Sequence, residues 1–317
     1  METNKIYHLN FLNNTLPDKC AQLIIADPPY FKVKGSFDFV WKSFDDYLKD
    51  VEKWAIECKR LLADNGTLFW YGNSKKIAYA QIIFDKYFTL LSNVTCHVYD
   101  RQTNKITVED ARSFINTSER VLMYSNETYN LTQCVYLIRD YIRTEIQKAK
   151  GKIILKEINT ALGTATNGGG VASACFSLDK SEPIMVTKEM YLKLQDWCYP
   201  FLRKKYEDLR KEYEDLRRPF TPTEQYKMDV LKISQQANIT QLYDHDTCKP
   251  ETLTRALILT CSRQNDLVLV PFSGSGTECA MAAKENRNFI GFDIENKYVE
   301  MGNKRCVEHL HTQSLFS

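Results

Sequence analysis

Leu267-Val268-Leu269-Val270-Pro271-Phe272-Ser273-Gly274-Ser275-Gly276-Thr277 reads as a buried strand running straight into a glycine loop. A helical stretch, 278–286, comes next, and then a second strand, 288–292, that ends in Asp293. A run of Leu and Val with no polar alternation fits a strand covered on both faces, as in a parallel sheet. Gly274 and Gly276 permit the sharp strand-to-helix turn and let the backbone approach a ligand at the helix N-terminus. An acid about 20 positions past such a loop is where nucleoside-binding α/β units hold ribose hydroxyls. Cys279 stands where a G-x-G-x-x-G loop has its third small residue, which favours a single nucleoside over a dinucleotide. A G-x-G word alone is common in loops, so the order strand, loop, helix, strand, acid carries the reading.

Near the other end of the chain, the apolar run Leu23-Ile24-Ile25-Ala26 leads directly into Asp27-Pro28-Pro29-Tyr30. The strand delivers a carboxylate and an aromatic face to one point, and the two prolines stiffen the link between them. That combination describes a pocket for an exocyclic amino group. The bland alternative is a strand ending in a Pro-Pro turn, and only the second motif weighs against it.

Together the two motifs resemble the DNA amino-methyltransferases that use S-adenosylmethionine. The order resembles their permuted subgroup, in which the catalytic half precedes the target-recognition region and the cofactor loop. The likeness covers most of the chain outside about 126–225. Family members carry an Asp-Pro-Pro-Tyr word, a His-x-x-x-Lys-Pro element, a strand ending in Asp-Pro-Phe-x-Gly-Ser-Gly-Thr, and Gly-x-Glu/Asp. This chain has His245-Asp246-Thr247-Cys248-Lys249-Pro250, then Pro271 to Thr277, then Gly291-Phe292-Asp293. One position departs, because Val270 stands where the family usually has Asp near the methionine amino group, and Asp266 is too far upstream to replace it.

The resemblance implies an α/β fold of the Rossmann-like class I methyltransferase type: a doubly wound, mostly parallel seven-stranded sheet with an inserted, mainly helical recognition region. Residues 1–125 would form the catalytic half, 126–225 the target-recognition insert and 226–317 the cofactor-binding half. It implies catalytic roles for Asp27, Pro28, Pro29 and Tyr30. Cofactor contacts would come from Lys249, Pro250, Phe272, Ser273, Gly274, Ser275, Gly276, Thr277 and Asp293. The implied reaction is transfer of a methyl group to N6 of an adenine in double-stranded DNA. Relatives of this arrangement are often dimers, and a homodimer and a cognate restriction enzyme both stay open as partners here. Two alternatives stay open: cytosine N4 as the acceptor, where the family more often has Ser in place of Asp27, and a DNA-binding protein of this fold without turnover.

Elementary chemistry explains why such residues would be needed. The N6 lone pair of adenine is delocalised into the ring, so the nitrogen is a poor nucleophile until it becomes more tetrahedral. An acceptor for its N–H bonds favours that change. The Asp27 carboxylate would take one N–H and, by resemblance, the Pro28 carbonyl the other, with orientation and electrostatics supplying the acceleration. A base inside a duplex is out of reach, so it would be flipped and stacked on Tyr30. Phe31, Phe39 and Trp41 are further candidate walls, although aromatics at this density more often form core.

The strands expected besides the two motif strands are 6–9, 67–71, 90–99, 120–124 and 288–292, with 90–99 and 120–124 as an antiparallel pair. Helices are expected at 44–62, ending near Asn65-Gly66, at 75–86 and at 297–309. Ligands would sit at the carboxyl ends of the strands. Within the insert, Val135, Ile138, Ile142 and Ile146 have helical spacing, and Gly151 separates that helix from a shorter one, 153–162, closed by Gly163. Two helices joined by a glycine turn can form a helix-turn-helix reader or an ordinary helical hairpin. Lys156-Glu157-Ile158-Asn159-Thr160-Ala161-Leu162-Gly163 is similar to a stretch in phage and mobile-element members, which raises the reader interpretation. Arg139, Arg143, Lys152 and Lys156 are the candidate phosphate contacts. Thr164 to Gly170 reads as a connecting loop, and the repeat Tyr206-Glu207-Asp208-Leu209-Arg210, Tyr213-Glu214-Asp215-Leu216-Arg217 as a charged helix docking on the body.

Composition excludes other classes. A 44% hydrophobic content over 317 residues suffices for a large core, and no apolar run approaches the roughly 20 residues that span a bilayer. With no secretory leader, a cytoplasmic location is expected. Ten cysteines without a C-x-x-C pair fit reduced, buried thiols. His8, His97, His245, His309 and His311 show no metal-ligand spacing, so no metal is expected. A net charge of +2 means that DNA must be met by local basic surface.

Overall fold

A computed structural model describes the chain except for residues 34–35, 99–111, 113, 115–116, 127–130, 167–169, 181–182, 234–247 and 314–317. His245-Asp246-Thr247 and Asn167-Gly168-Gly169 lie outside the described residues. The chain divides into two compact units, Met1–Glu127 with Pro219–Ser317, and Thr128–Arg218.

The first unit is built on an eight-stranded sheet of order β1-β8-β7-β2-β3-β5-β4-β6. The strands are β1 (Lys5–His8), β2 (Ala21–Ala26), β3 (Leu62–Gly72), β4 (Thr89–Val98), β5 (Ser118–Ser125), β6 (Val230–Ile233), β7 (Leu267–Val270) and β8 (Asn288–Asp293). Only β5 runs against its neighbours. The central runs 23–26 of β2, 68–71 of β3 and Leu267–Val270 of β7 are apolar because both faces of the sheet are covered there. In β2, Leu23 and Ile25 enter one core cluster, and Ile24 and Ala26 enter the other. Helices α8 (Glu251–Cys261), α9 (Thr277–Lys284) and α10 (Asn296–Gln313) contribute to the first cluster, and α1 (Phe44–Leu61) and α2 (Ile77–Phe84) to the second.

α1 shows how local sequence sets an element. The Ser43 side chain caps its start by accepting from the Asp46 N–H, with Asp45 and Asp46 in the first turn and Lys59 and Arg60 in the last. Tyr47, Val51, Trp54, Ala55, Cys58 and Leu61 form the buried stripe. Asn303 of α10 stitches the sheet edge by accepting from the Ile6 N–H and donating to its carbonyl, both at 2.9 Å. The two chain ends therefore meet at β1, which pairs in parallel with β8.

Two expectations need correction. The sheet has eight strands, because Val230-Leu231-Lys232-Ile233 adds in parallel to β4 at the edge. Four residues with two buried side chains leave too short an alternation to read against the polar residues around them. Asn65-Gly66 is not the turn after α1, since the helix gives way directly to β3 at Leu62, which already pairs with Ala21 of β2.

The second unit is helical: α3 (Leu131–Lys150), α4 (Leu155–Leu162), α5 (Gly170–Phe176), α6 (Lys188–Trp197) and α7 (Tyr206–Leu216). Val135, Ile138, Ile142 and Ile146 form its central buried stripe. Gly163 ends α4 in the left-handed region at φ 72°. Buried Asn159 accepts from the Ala172 N–H at 2.9 Å and from the Thr164 hydroxyl at 2.9 Å, which ties α5 to α4. The heptad helix α7 docks through Leu209 and Tyr213 into this unit's own core.

Candidate active site

β7 and β2 are neighbours, paired with Leu23 opposite Val268 and Ile24 opposite Leu269. From β7 the chain proceeds to β8 on one side, and from β2 it proceeds to β3 on the other. The carboxyl ends of these strands therefore flank a topological switch point, where open α/β sheets bind ligands. Asp27 leaves β2 there and the glycine loop leaves β7 beside it, so residues more than two hundred positions apart share one crevice.

The Asp27 carboxylate is held from both sides. The Tyr30 hydroxyl donates to Oδ1 at 2.6 Å, and the Lys249 ammonium lies 2.9 Å from Oδ2. Lys249 is buried, with Glu119 at 3.9 Å and the rings of Tyr30 and Tyr71 at 5.6 and 5.0 Å from its Nζ. Burial works against the Lys249 charge, but Asp27 and Glu119 outweigh it and raise its pKa. Burial and then the neighbouring Asp27 charge push the Tyr30 hydroxyl well above its ordinary value, so it stays a donor. The buried Asp38 carboxylate accepts from the Tyr30 N–H and braces the Pro-Pro turn from the far side.

The loop is fixed by backbone geometry. Gly274 and Gly276 adopt φ 45° and 73°, and a Cβ on Gly276 would stand 2.6 Å from the Cα of Gly302 on α10. Asp293 accepts from the Gly274 N–H at 2.8 Å and from the Glu295 N–H at 2.9 Å. Burial is the main influence on its carboxyl and raises the pKa. Phe272 packs edge-on against Trp54 at 5.0 Å and reaches Phe11 and Trp70. Buried Arg305 donates to Thr277 Oγ1 at 2.8 Å and to the Ser275 carbonyl, and pairs with Glu251 at 2.5 Å. Pro250 caps α8, directly after Lys249.

Asp27, Pro28, Pro29, Tyr30 and Lys249 thus converge beside the loop 272–277. Lys249 pairs with Asp27, an ion pair that no local spacing reveals. Val270 is buried in the apolar cluster with Leu23 and Ile25 and brings no charge. Asp266 accepts from the Arg263 N–H at 2.7 Å at the start of β7, away from the loop. Phe31 packs on Phe44 and Tyr47, and Trp41 on Tyr47 and Trp54, as core aromatics, whereas Phe39 is exposed. Asp38, Tyr71, Glu119, Glu278 and Arg305 were not singled out from sequence, since each acts only through a fold contact. Among the described residues no group of His, Cys, Asp and Glu could hold a metal, and no helix is long and apolar enough to cross a membrane.

In the helical unit, Lys152 and Lys156 are exposed. Arg139 is buried, stacks on Tyr136 at 4.4 Å and bonds to Asp140 and the Ser177 carbonyl. Arg143 donates to the Phe176 carbonyl at the end of α5. Both arginines thus bond within the unit's own fold.

The N6/N4 DNA methylase family model matches residues 21–304, spanning the loop, the Asp27 turn and the helical unit between them. The chain belongs to this DNA methylase family. Curated relatives include the DNA adenine methyltransferase YhdJ of Escherichia coli, 26% identical over 92% of this chain and 77% of that protein. The type II methyltransferase M.HinfI of Haemophilus influenzae is 26% identical over 93% of this chain and 65% of its own length. M1.MboII of Moraxella bovis is 25% identical over 96% of both. Among solved structures, the M1.HpyAVI–SAM complex superposes with TM-score 0.54 at 16% identity over 95% of this chain and 98% of that one. The cytosine-N4-specific PvuII methyltransferase gives 0.54 at 12% identity over 96% of this chain and 90% of that one. These structures share the class I methyltransferase fold with this DNA methylase.

Proposed function

We propose that this DNA methylase transfers a methyl group from S-adenosylmethionine to N6 of an adenine flipped out of double-stranded DNA. The carrying observation is the Asp27 carboxylate, clamped by Tyr30 and Lys249 at the switch point beside the glycine loop. The name of one curated relative, the DNA adenine methyltransferase YhdJ, supports the choice of base.

The residues present fit the cofactor. Gly274 and Gly276 bring bare backbone to the crevice, Asp293 keeps lone pairs for ribose hydroxyls, and the buried Ser273 Oγ and Glu278 Oε1 lack hydrogen-bond partners in the protein. The bound cofactor supplies an electrophilic methyl on a sulfonium. The chain's residues do the rest. Lys249 and Tyr30 aim the Asp27 carboxylate, whose two oxygens retain lone pairs for a target N–H. The Pro28 carbonyl accepts the second N–H, and the Tyr30 ring stacks the base. As the N–H bonds bend toward these acceptors, the nitrogen lone pair leaves the ring and becomes nucleophilic.

The helical unit is read as the target-recognition insert, with Lys152 and Lys156 as phosphate contacts. A homodimer and a cognate restriction enzyme belong to the same reading. Nucleoside digestion of DNA incubated with the chain and cofactor tests it. N6-methyladenine is the expected product, and N4-methylcytosine alone would defeat the assignment.

A further inference from the structure

One carboxyl oxygen in the crevice has no hydrogen-bond donor among the described residues. Glu278 stands on the first turn of α9, only 4% exposed, and it is its Oε1 that is left so. The fully buried Tyr71 hydroxyl, which feels the Glu278 charge, makes none either. A buried carboxylate oxygen without a donor destabilises the fold that contains it. Such a feature is accounted for by a ligand that brings the missing donor.

Among the described residues, the cations acting on it are bonded elsewhere: Lys249 to Asp27, and Arg305 to Glu251, Thr277 and the Ser275 carbonyl. Val270 offers only methyl groups to the apolar cluster that holds Tyr71. Burial and then repulsion from Asp27 push the Glu278 carboxyl up to about 7, while a bond to its own backbone, Lys249 and Arg305 act against the shift. The environment thus resists a negative charge until a positive one arrives.

Resting on the cofactor reading above, the groups of S-adenosylmethionine can be sorted against this acceptor. Its carboxylate would be repelled. Its sulfonium has no N–H to donate. Its ribose hydroxyls are matched by Asp293, whose carboxylate holds Gly274 at the start of the loop. The α-ammonium remains, a compact cation with three donors. We propose that Glu278 binds the α-ammonium of the cofactor's methionine portion, making Glu278 a binding residue that offsets the apolar Val270.

Calorimetric titration at pH 8 tests this with two ligands: S-adenosylhomocysteine, which keeps the ammonium, and 5′-methylthioadenosine, which lacks the amino-acid portion. Glu278→Gln should weaken S-adenosylhomocysteine by at least about tenfold, the usual scale for a lost charged hydrogen bond. Its affinity for 5′-methylthioadenosine should stay within about twofold of wild type, which also shows that the variant is folded. Glu278→Ala should lose as much or more for the first ligand and again spare the second. Unchanged S-adenosylhomocysteine affinity would make Glu278 a structural carboxylate and overturn the assignment, as would equal loss for both ligands. A wild-type chain that binds neither ligand would sink the cofactor reading and this assignment together.

Discussion

At the residue scale, two carboxyl groups of the crevice have opposite circumstances. Asp27 has Lys249 and Tyr30 as partners, while Glu278 has an orphaned oxygen. Asp27→Ala should reduce incorporation of labelled methyl into DNA to background, with S-adenosylhomocysteine affinity kept within about threefold. Retained turnover would remove Asp27 from the chemistry. Lys249→Met leaves Asp27 and Glu119 without their shared cation. Stranding partly buried partners in this way costs up to about 3 kcal/mol, so the denaturation midpoint should fall measurably. Glu278 gives a pH prediction with a definite sign. Its folded pKa, about 7, lies above its ordinary 4.5, so the folded state binds the extra proton between those values. Stability is therefore lost as pH rises through that window, by up to about 3 kcal/mol. Asp27, Lys249, Arg305, Tyr71, Cys248 and Cys279 are the groups electrostatically coupled to it, and none is altered in a Gln variant. Ligand-free Glu278→Gln should consequently melt higher than wild type at pH 8, with the gap closing by pH 5. An equal gap at both values would mean that ionisation of Glu278 is not its cause.

At the scale of elements, the loop between β7 and α9 depends on Gly276 twice: for its left-handed φ of 73° and for the 2.6 Å approach to Gly302. Gly276→Ala therefore meets both backbone strain and the main chain of α10, which cannot rotate away. A loss of at least about 2 kcal/mol is expected. Thermal melting should show it, and cofactor titration should show weakened binding because α9 must shift. Wild-type affinity in this variant would mean that the loop does not need its observed path. This loop was legible in the sequence because glycine, strand run and terminal acid are all local signals. The Asp27 turn was legible for the same reason. β6 was not, since its four residues gain their strand identity only from β4 beside them. Asn65-Gly66 carries a turn signal that pairing of Leu62 with β2 overrides. The Lys249–Asp27 pair is a contact across the fold, and charge pairs at such separation leave no periodic trace. The bonds of Arg139 to the Ser177 carbonyl and of Arg143 to the Phe176 carbonyl leave no trace in the spacing of α3 for a related reason.

At the scale of the whole molecule, the two units have separate apolar cores. Ile142 is fully buried in the helical one, among Ile138, Ile146, Ile158 and Leu209, and none of these residues enters either cluster of the sheet. A single truncation can therefore weaken one unit without reaching into the other's packing. Ile142→Ala removes a buried branched side chain and should destabilise the helical unit by about 2–5 kcal/mol. The sheet carries Asp27, Lys249, the glycine loop and Glu278, so S-adenosylhomocysteine affinity should be retained. If the helical unit is the DNA reader, binding of duplex DNA should weaken, and the variant should unfold in two separated thermal steps where the wild type shows closer ones. Calorimetry and a paired titration with cofactor product and duplex distinguish the outcomes. Loss of both affinities would show the two cores to be energetically one. Loss of neither, with the helical unit demonstrably melted, would take DNA recognition away from that unit and assign it to the sheet-bearing unit.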